Sequence, residues 1–562
     1  DHRDLHTAYR RQRQMCIRDR VPSERFPMYT RSNVGEIMPN PCSPLGWDLV
    51  WGSGVAFGWM NGHFRWGSSA PDEINHDQPD FIACFGGYVY LNMSLIRLVG
   101  ERSPGMSAQQ MDDILLGSHP DVVPHTPHPD DKRPELEEQI EATMGWIMTV
   151  TEEPPELMED RKTILELREN RPDLKTLSNK DLIDRARSVT SYIREFFEPY
   201  YVYGTASAVG PGLLSQVCAE IDPSLSGRLI SGLDGIDSVP MTVDIWELSR
   251  LEKNSSEFAN KFESFLKEHG CRGPGEWDAG NPTWEVDPNP VTAAIDAMRN
   301  VDNNFSPSSK QAQAAADRLA AEKQAREALA GNDEALELLE TGLRVSKIFV
   351  PTRERTKLTQ MMAIHEVRLP IYELGERMTN EGYLEEANDI FLLLNDELDD
   401  FLEDPNSFKK TIAQRRKDFE LLSSLEEPFI VNGEVPPISE WNKKTSSVKP
   451  VQIGETLTGL SGSPGEITGR AKIVTDPGDP RGLEQGEILV APITDPAWTP
   501  LFIPAAGVVV DVGAPMSHSV IVSREFGIPC VVSVHQAAER IPDGALIQVD
   551  GNNGTVTIIE LP

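Results

Sequence analysis

Along most of the chain the apolar residues return every three or four positions, and only near the C-terminus does that spacing shorten to two. In residues 181–199, Leu182, Ala186, Val189, Ile193 and Phe196 fall on one helical face, with Ser178 standing where an N-cap is wanted. The same periodicity predicts helix over 246–269, stopped by Gly270, and over the Ala/Glu/Leu/Lys-rich stretch 309–347, with a break at Gly331-Asn332. Residues 360–380 and 384–402 read as two more helices joined by a glycine-containing turn. Between 426 and 455 the pattern fails: Pro428, Pro436, Pro437 and Pro450 mix with Gly, Asn, Ser and Lys, the composition of a linker or a loose surface crossing. Downstream, short β-type runs at 471–475, 487–491, 507–511, 530–534, 545–550 and 555–560 are separated by Gly/Pro/Asp turns.

The expected architecture is therefore multidomain. A mostly α-helical central domain over 21–425 is followed by the linker and by a compact β-rich domain over 456–562. Length agrees, because 562 residues with 39% hydrophobic content exceed what one core organises, about 250–300 residues. Acidic residues outnumber basic ones by 88 to 53, a net charge of −35, which repels a phosphate backbone or an anionic lipid surface and excludes nucleic acid and membrane as expected partners. The six cysteines are scattered singly, without zinc spacing or disulfide density, so reduced thiols in a cytoplasmic protein are expected, and no metal site. Residues 1–20 are polar and basic, and the run 12–20 resembles translated sequencing-adapter read-through. They are read as a non-native leader or a disordered arm and set aside.

Candidate chemistry concentrates near the C-terminus. Residues 507–511 read as a buried strand, 512–515 as a turn, and 517–526 as a short helix ended by Gly527 and Pro529. His518 then sits in the first turn of a helix, where free N–H groups and the dipole favour a phosphoryl dianion, and exposure on a turn would let the ring meet two partners in succession. A second cluster, Arg353, Glu354 and Lys357, occupies positions i, i+1 and i+4 of a predicted helix. Two cations on one face suit a transferring phosphoryl group and Glu354 suits an acceptor hydroxyl's proton; a solvated charged face is the competing reading.

The run from Gly513-Ala-Pro-Met-Ser-His518 to Arg524-Glu525-Phe-Gly-Ile-Pro529 resembles the signature of the phosphohistidine swivelling domain of PEP-utilising enzymes. That domain is shared by phosphoenolpyruvate synthase, pyruvate phosphate dikinase and rifampin phosphotransferase. The likeness extends through Leu460-Ser-Gly-Ser-Pro-Gly465 and Thr494-Asp-Pro-Ala-Trp498-Thr-Pro500, with Ala514 replacing a glycine and Met516 standing where threonine is common. Upstream, Tyr29-Thr-Arg31-Ser-Asn33-Val-Gly35-Glu36-Ile-Met-Pro39, His269-Gly-Cys-Arg272-Gly-Pro274-Gly-Glu276-Trp277 and Arg353-Glu354-Arg-Thr-Lys357 are similar to the central domain of the rifampin phosphotransferase-like branch.

The resemblance implies a β/β/α phosphohistidine swivelling domain whose His518 is phosphorylated. Ser517 would support the phosphate, with Thr494 lining the pocket and Arg524 either contacting phosphate or pairing locally with Glu525. Arg272 and Glu276 would shape the acceptor pocket or serve as turn residues. It also implies that ATP and Mg2+ act on an ATP-grasp domain that either is missing from this chain or belongs to a partner subunit. The expected activity is dikinase-type phosphotransfer to a hydroxyl of a small organic acceptor, with a non-catalytic, phosphohistidine-dependent regulatory or binding protein as the alternative.

Overall fold

A computed structural model describes residues 21–117, 119–444, 449–478, 483–514 and 517–562; the leader set aside above lies outside these. The central unit is organised by two long helices. Asn179–Ala206 starts at a reciprocal capping box, in which the Ser178 hydroxyl accepts the Asp181 N–H and donates to the Asp181 carboxylate, and it buries the predicted stripe. It packs along Asp333–Asn380, a 48-residue helix opened by Asn332, whose side chain accepts the Ala335 N–H. Helix Pro307–Ala328 precedes it, and Gly331, at φ 92°, makes the break read from the sequence.

Two helical expectations change. The stretch 246–269 divides into Ser238–Arg250 and Ser256–His269, because the Ser255 hydroxyl caps a new start by accepting the Phe258 N–H. Residues 384–402 form 3-10 turns, Ala387–Leu392 and Asn395–Glu397, before the short helix Leu398–Glu403. Asp389 accepts the N–H groups of Glu385 and Glu386, and Glu397 that of Leu394, so side chains take the donors a continuous helix would have used.

The central unit also carries an antiparallel sheet of β1 (Met28–Thr30), β2 (Ile82–Phe85), β3 (Tyr88–Asn92) and β4 (Ile430–Asn432), in the order β2-β3-β1-β4. Strand β4 lies in the stretch read as a linker. It pairs with β1, and Trp441 lies against Gly86 so closely that a Cβ there would come within 2.0 Å of the indole. That crossing is fastened to the helical unit.

The C-terminal unit is an eight-stranded sheet of β5 (Thr456–Thr458), β6 (Leu460–Ser463), β7 (Glu466–Ile473), β8 (Ile488–Ala491), β9 (Gly507–Val510), β10 (Cys530–Val532), β11 (Leu546–Asp550) and β12 (Thr555–Glu560). Its order is β5-β12-β11-β7-β8-β9-β10-β6, parallel through β7-β8-β9-β10 and antiparallel at the flanks. One face packs Val490, Val509, Val531 and Ile547 together. The other packs Leu489, Val508, Phe502 and Val520 into a core continuous with Ile245, Trp284, Ile295 and Met298 of the helical unit. The two units are thus docked through shared apolar surface, and helix His518–Phe526 lies at their junction. Among the described residues no helix is long and apolar enough to cross a membrane.

Candidate active site

Ser517 occupies the N-cap position of helix His518–Phe526, and Gly527 ends it in the left-handed conformation at φ 63°. The Ser517 hydroxyl pairs with that of Ser519 at 2.9 Å instead of capping. The His518 N–H at the helix start donates to Glu36 Oε1 of the helical unit at 3.2 Å, so a carboxylate occupies the anion-binding end of this helix. Burial raises the Glu36 pKa to about 7, against the downward pull of Lys357, the His518 N–H and Arg353.

The imidazole is held on three sides. Nδ1 lies 3.1 Å from Thr494 Oγ1, Nε2 lies 3.0 Å from Thr499 Oγ1, and the Phe502 ring meets it edge-on at 5.7 Å. His518 is 8% exposed, which corrects the expectation of an exposed turn: the helical unit covers it. Burial, and then the charges of Lys357, Arg272 and Arg353, hold its pKa well below the ordinary histidine range, so the ring is neutral at physiological pH.

Opposite stands helix Asp333–Asn380, which brings Arg353, Glu354 and Lys357 together as their spacing predicted. These three, with Glu36, Tyr200, Glu276, Thr494, Asp495, Ser517 and His518, line one cleft. Arg353 Nη1 lies 3.4 Å from Glu354 Oε1. The loop after helix Ser256–His269 contributes Arg272 and Glu276, whose charges approach to 2.9 Å out of hydrogen-bond alignment, leaving both buried Glu276 oxygens without a hydrogen-bond donor. The same loop docks on the C-terminal unit: Gly275 N–H donates to Asp495 Oδ2 at 2.9 Å, and burial lifts the Asp495 pKa to about 6.

Arg524 is not among the residues lining the cleft. Its Nε donates to the Gly462 carbonyl at 2.9 Å, inside its own unit, and no Arg524–Glu525 ion pair is present among the described residues. Glu525 instead accepts the Leu233 N–H of the helical unit. His365 is a core residue between Thr283 and Glu285, its pKa pushed down to about 4 by burial. Glu36, Tyr200, Asp495 and Thr499 were not singled out from the sequence as site residues. Glu36, Asp495 and Thr499 do sit inside the motifs quoted above, which was the available signal; Tyr200 carried none.

The comparisons with known proteins fall on these elements. A model of the PEP-utilising enzyme mobile domain matches residues 483–554, the stretch holding Thr494, Thr499 and His518, and a model of the rifampicin phosphotransferase fourth domain matches 246–354, holding Arg272, Glu276 and Arg353. A rifampicin phosphotransferase of Streptomyces sviceus is 30% identical over 311 residues, covering 54% of this chain and 35% of that protein. One of Bacillus subtilis is 28% identical over 319 residues, covering 56% and 36%. An uncharacterised protein of Mycobacterium tuberculosis is 37% identical over 209 residues, 37% of this chain and 23% of that one. The aligned stretches thus span about a quarter to a third of these relatives' lengths. Residues 246–354 are thus similar to a rifampicin phosphotransferase fourth domain and residues 483–554 to the mobile domain of PEP-utilising enzymes, and proteins named rifampicin phosphotransferase are among those the chain resembles.

Proposed function

We propose that this chain is the acceptor-binding and phosphate-carrying part of a phosphotransferase. His518 carries the phosphoryl group and hands it to a hydroxyl of a small organic molecule bound in the cleft. The observation that carries this reading is the convergence of the His518 ring with Arg353, Glu354 and Lys357 across the junction of the two units. Phosphoryl transfer rests on positioning and charge neutralisation, and the cleft supplies both. Arg353 and Lys357 offset the charge of the moving group; as its bond to the imidazole nitrogen breaks, the electron pair returns to the ring and a new P–O bond forms. Glu354 takes the proton leaving the acceptor hydroxyl. Ser517 and the first turn of the helix face the phosphoryl group, and Glu276, with two unsatisfied oxygens, receives donor groups of the acceptor.

Loading draws on ATP and Mg2+ held by an ATP-grasp domain, in a longer chain or on a partner subunit, and the cytoplasm is the compartment this reading assigns. The test is to incubate the chain with ATP and an ATP-grasp protein of a rifampicin phosphotransferase supplied in trans. Wild type is expected to take up acid-labile phosphate and lose it to a hydroxyl acceptor in a panel of phenols and macrocyclic alcohols. Labelling that persists in His518→Ala sinks the proposal, and label that no acceptor discharges favours a phosphohistidine-dependent switch.

A further inference from the structure

The two hydroxyls that hold the His518 ring are not equivalent. Thr499 Oγ1 lies 2.8 Å from the Pro496 carbonyl oxygen and 3.0 Å from His518 Nε2. A carbonyl oxygen carries no proton, so two oxygens this close require the threonine O–H between them. A hydroxyl has a single proton to give, which leaves Thr499 only lone pairs for the imidazole. The nitrogen facing it must then carry the hydrogen. Thr494, 3.1 Å from Nδ1, makes no other side-chain hydrogen bond among the described residues, so its O–H is free to donate to the ring. The low pKa imposed by burial and the neighbouring cations keeps the ring neutral, so only one of its nitrogens is protonated.

We propose that Thr499 is a positioning residue that fixes the unloaded His518 as the Nε2–H tautomer, with Thr494 donating to the lone pair on Nδ1. In this pose both nitrogens are closed, Nε2 by its proton and Nδ1 by the Thr494 hydroxyl. A ring nitrogen bonds phosphorus through a free lone pair, so loading requires one of these two contacts to open, at Nδ1 by release of the Thr494 O–H or at Nε2 by loss of its proton. Thr494, Thr499 and His518 all belong to the C-terminal unit, so this release takes place within that unit, separate from any movement between units. Its bearing on phosphate transfer rests on the carrier role proposed above, but the tautomer is measured without phosphate, so the two can fail independently.

The experiment is a two-bond 1H–15N correlation spectrum of the full chain labelled with 15N-histidine, at neutral pH, with the His518 signals assigned by their loss in His518→Gln. Wild type is expected to show a protonated Nε2 and an unprotonated Nδ1. Thr499→Val, which removes the acceptor, is expected to move the population to Nδ1–H as Thr494 turns to accept, and Thr499→Ser to restore the wild-type pattern. Thr494→Val is expected to keep Nε2–H. A wild-type spectrum with Nδ1 protonated overturns the proposal whatever the variants do, and so does a folded Thr499→Val whose His518 pattern matches wild type.

Discussion

Raising the pH should loosen the docking of the two units through Glu525. Its carboxyl is 3% exposed on the helix that begins at His518; Oε1 accepts the Leu233 N–H at 3.4 Å and Oε2 has no hydrogen-bond partner. Burial raises its pKa from 4.5 to about 8; the Leu233 N–H and Arg318 pull it down, while Asp234 and Glu354 push it up. When the units separate, the group meets water and its ordinary value returns. The docked state therefore holds a proton that the separated state releases. The contribution of Glu525 to docking is greatest below the ordinary carboxyl pKa, weakens as pH climbs, and loses nothing further above about 8. At about 1.4 kcal/mol per pH unit, the span from 4.5 to about 8 amounts to about 5 kcal/mol. Hydrogen exchange of the Leu233 amide, corrected for intrinsic exchange, reads this directly: separation should become up to about tenfold more frequent per pH unit within that span. Glu525→Gln should lower the slope by one proton's worth, leaving what Glu36 and Asp495, raised to about 7 and about 6, contribute, less the opposing share of His518, whose pKa docking lowers. Equal slopes in the two proteins, or protection that grows with pH, would refute the argument.

Replacing Glu354 by Gln should slow the discharge of phosphate from loaded His518 to a hydroxyl acceptor by about 10²–10⁴-fold while leaving loading unchanged, read in single turnover; an unchanged discharge rate removes Glu354 from the role of base. Lys357→Met removes the largest of the cationic influences that depress the His518 pKa, so the value should move up toward the ordinary range in an NMR titration; a downward move would contradict the geometry. Gly275 holds φ 62°, and a Cβ there would lie 2.4 Å from Asn281 Nδ2, so Gly275→Ala should cost about 1–2 kcal/mol from the backbone alone and loosen the contact with Asp495. Thermal denaturation checks the first effect, and loss of protection at the 494–499 segment checks the second.

The sequence made legible whatever is local. Strands β8, β9 and β10 are short apolar runs and β11 and β12 alternate apolar with polar residues, and the cluster at 353–357 declares itself by helical spacing. Neighbourhoods created by distant pairing were not legible. Strands β1 to β4 are three to five residues long, and β1 finds β4 some four hundred positions away, so no periodicity announces them. Glu36 meets His518 across 482 positions. The buried setting of His518 escaped for the same reason: a chain pattern shows which element a residue rides on, not what covers it.

One feature that sequence reading left open could have been decided from helical phase. Successive residues turn about 100° around a helix axis, so Arg524, six positions after His518, points about 120° away from it, whereas Glu525, seven positions on, returns to within about 20°. The contacts follow that phase: His518 lines the cleft it shares with Arg353 and Lys357 of the helical unit and Glu525 accepts the Leu233 N–H, while Arg524 turns inward to the Gly462 carbonyl. The Arg524-Glu525 pair is thus divided between two tasks. The cation ties the histidine-bearing helix to its own sheet, and the carboxyl places a pH-sensitive contact on the face that docks.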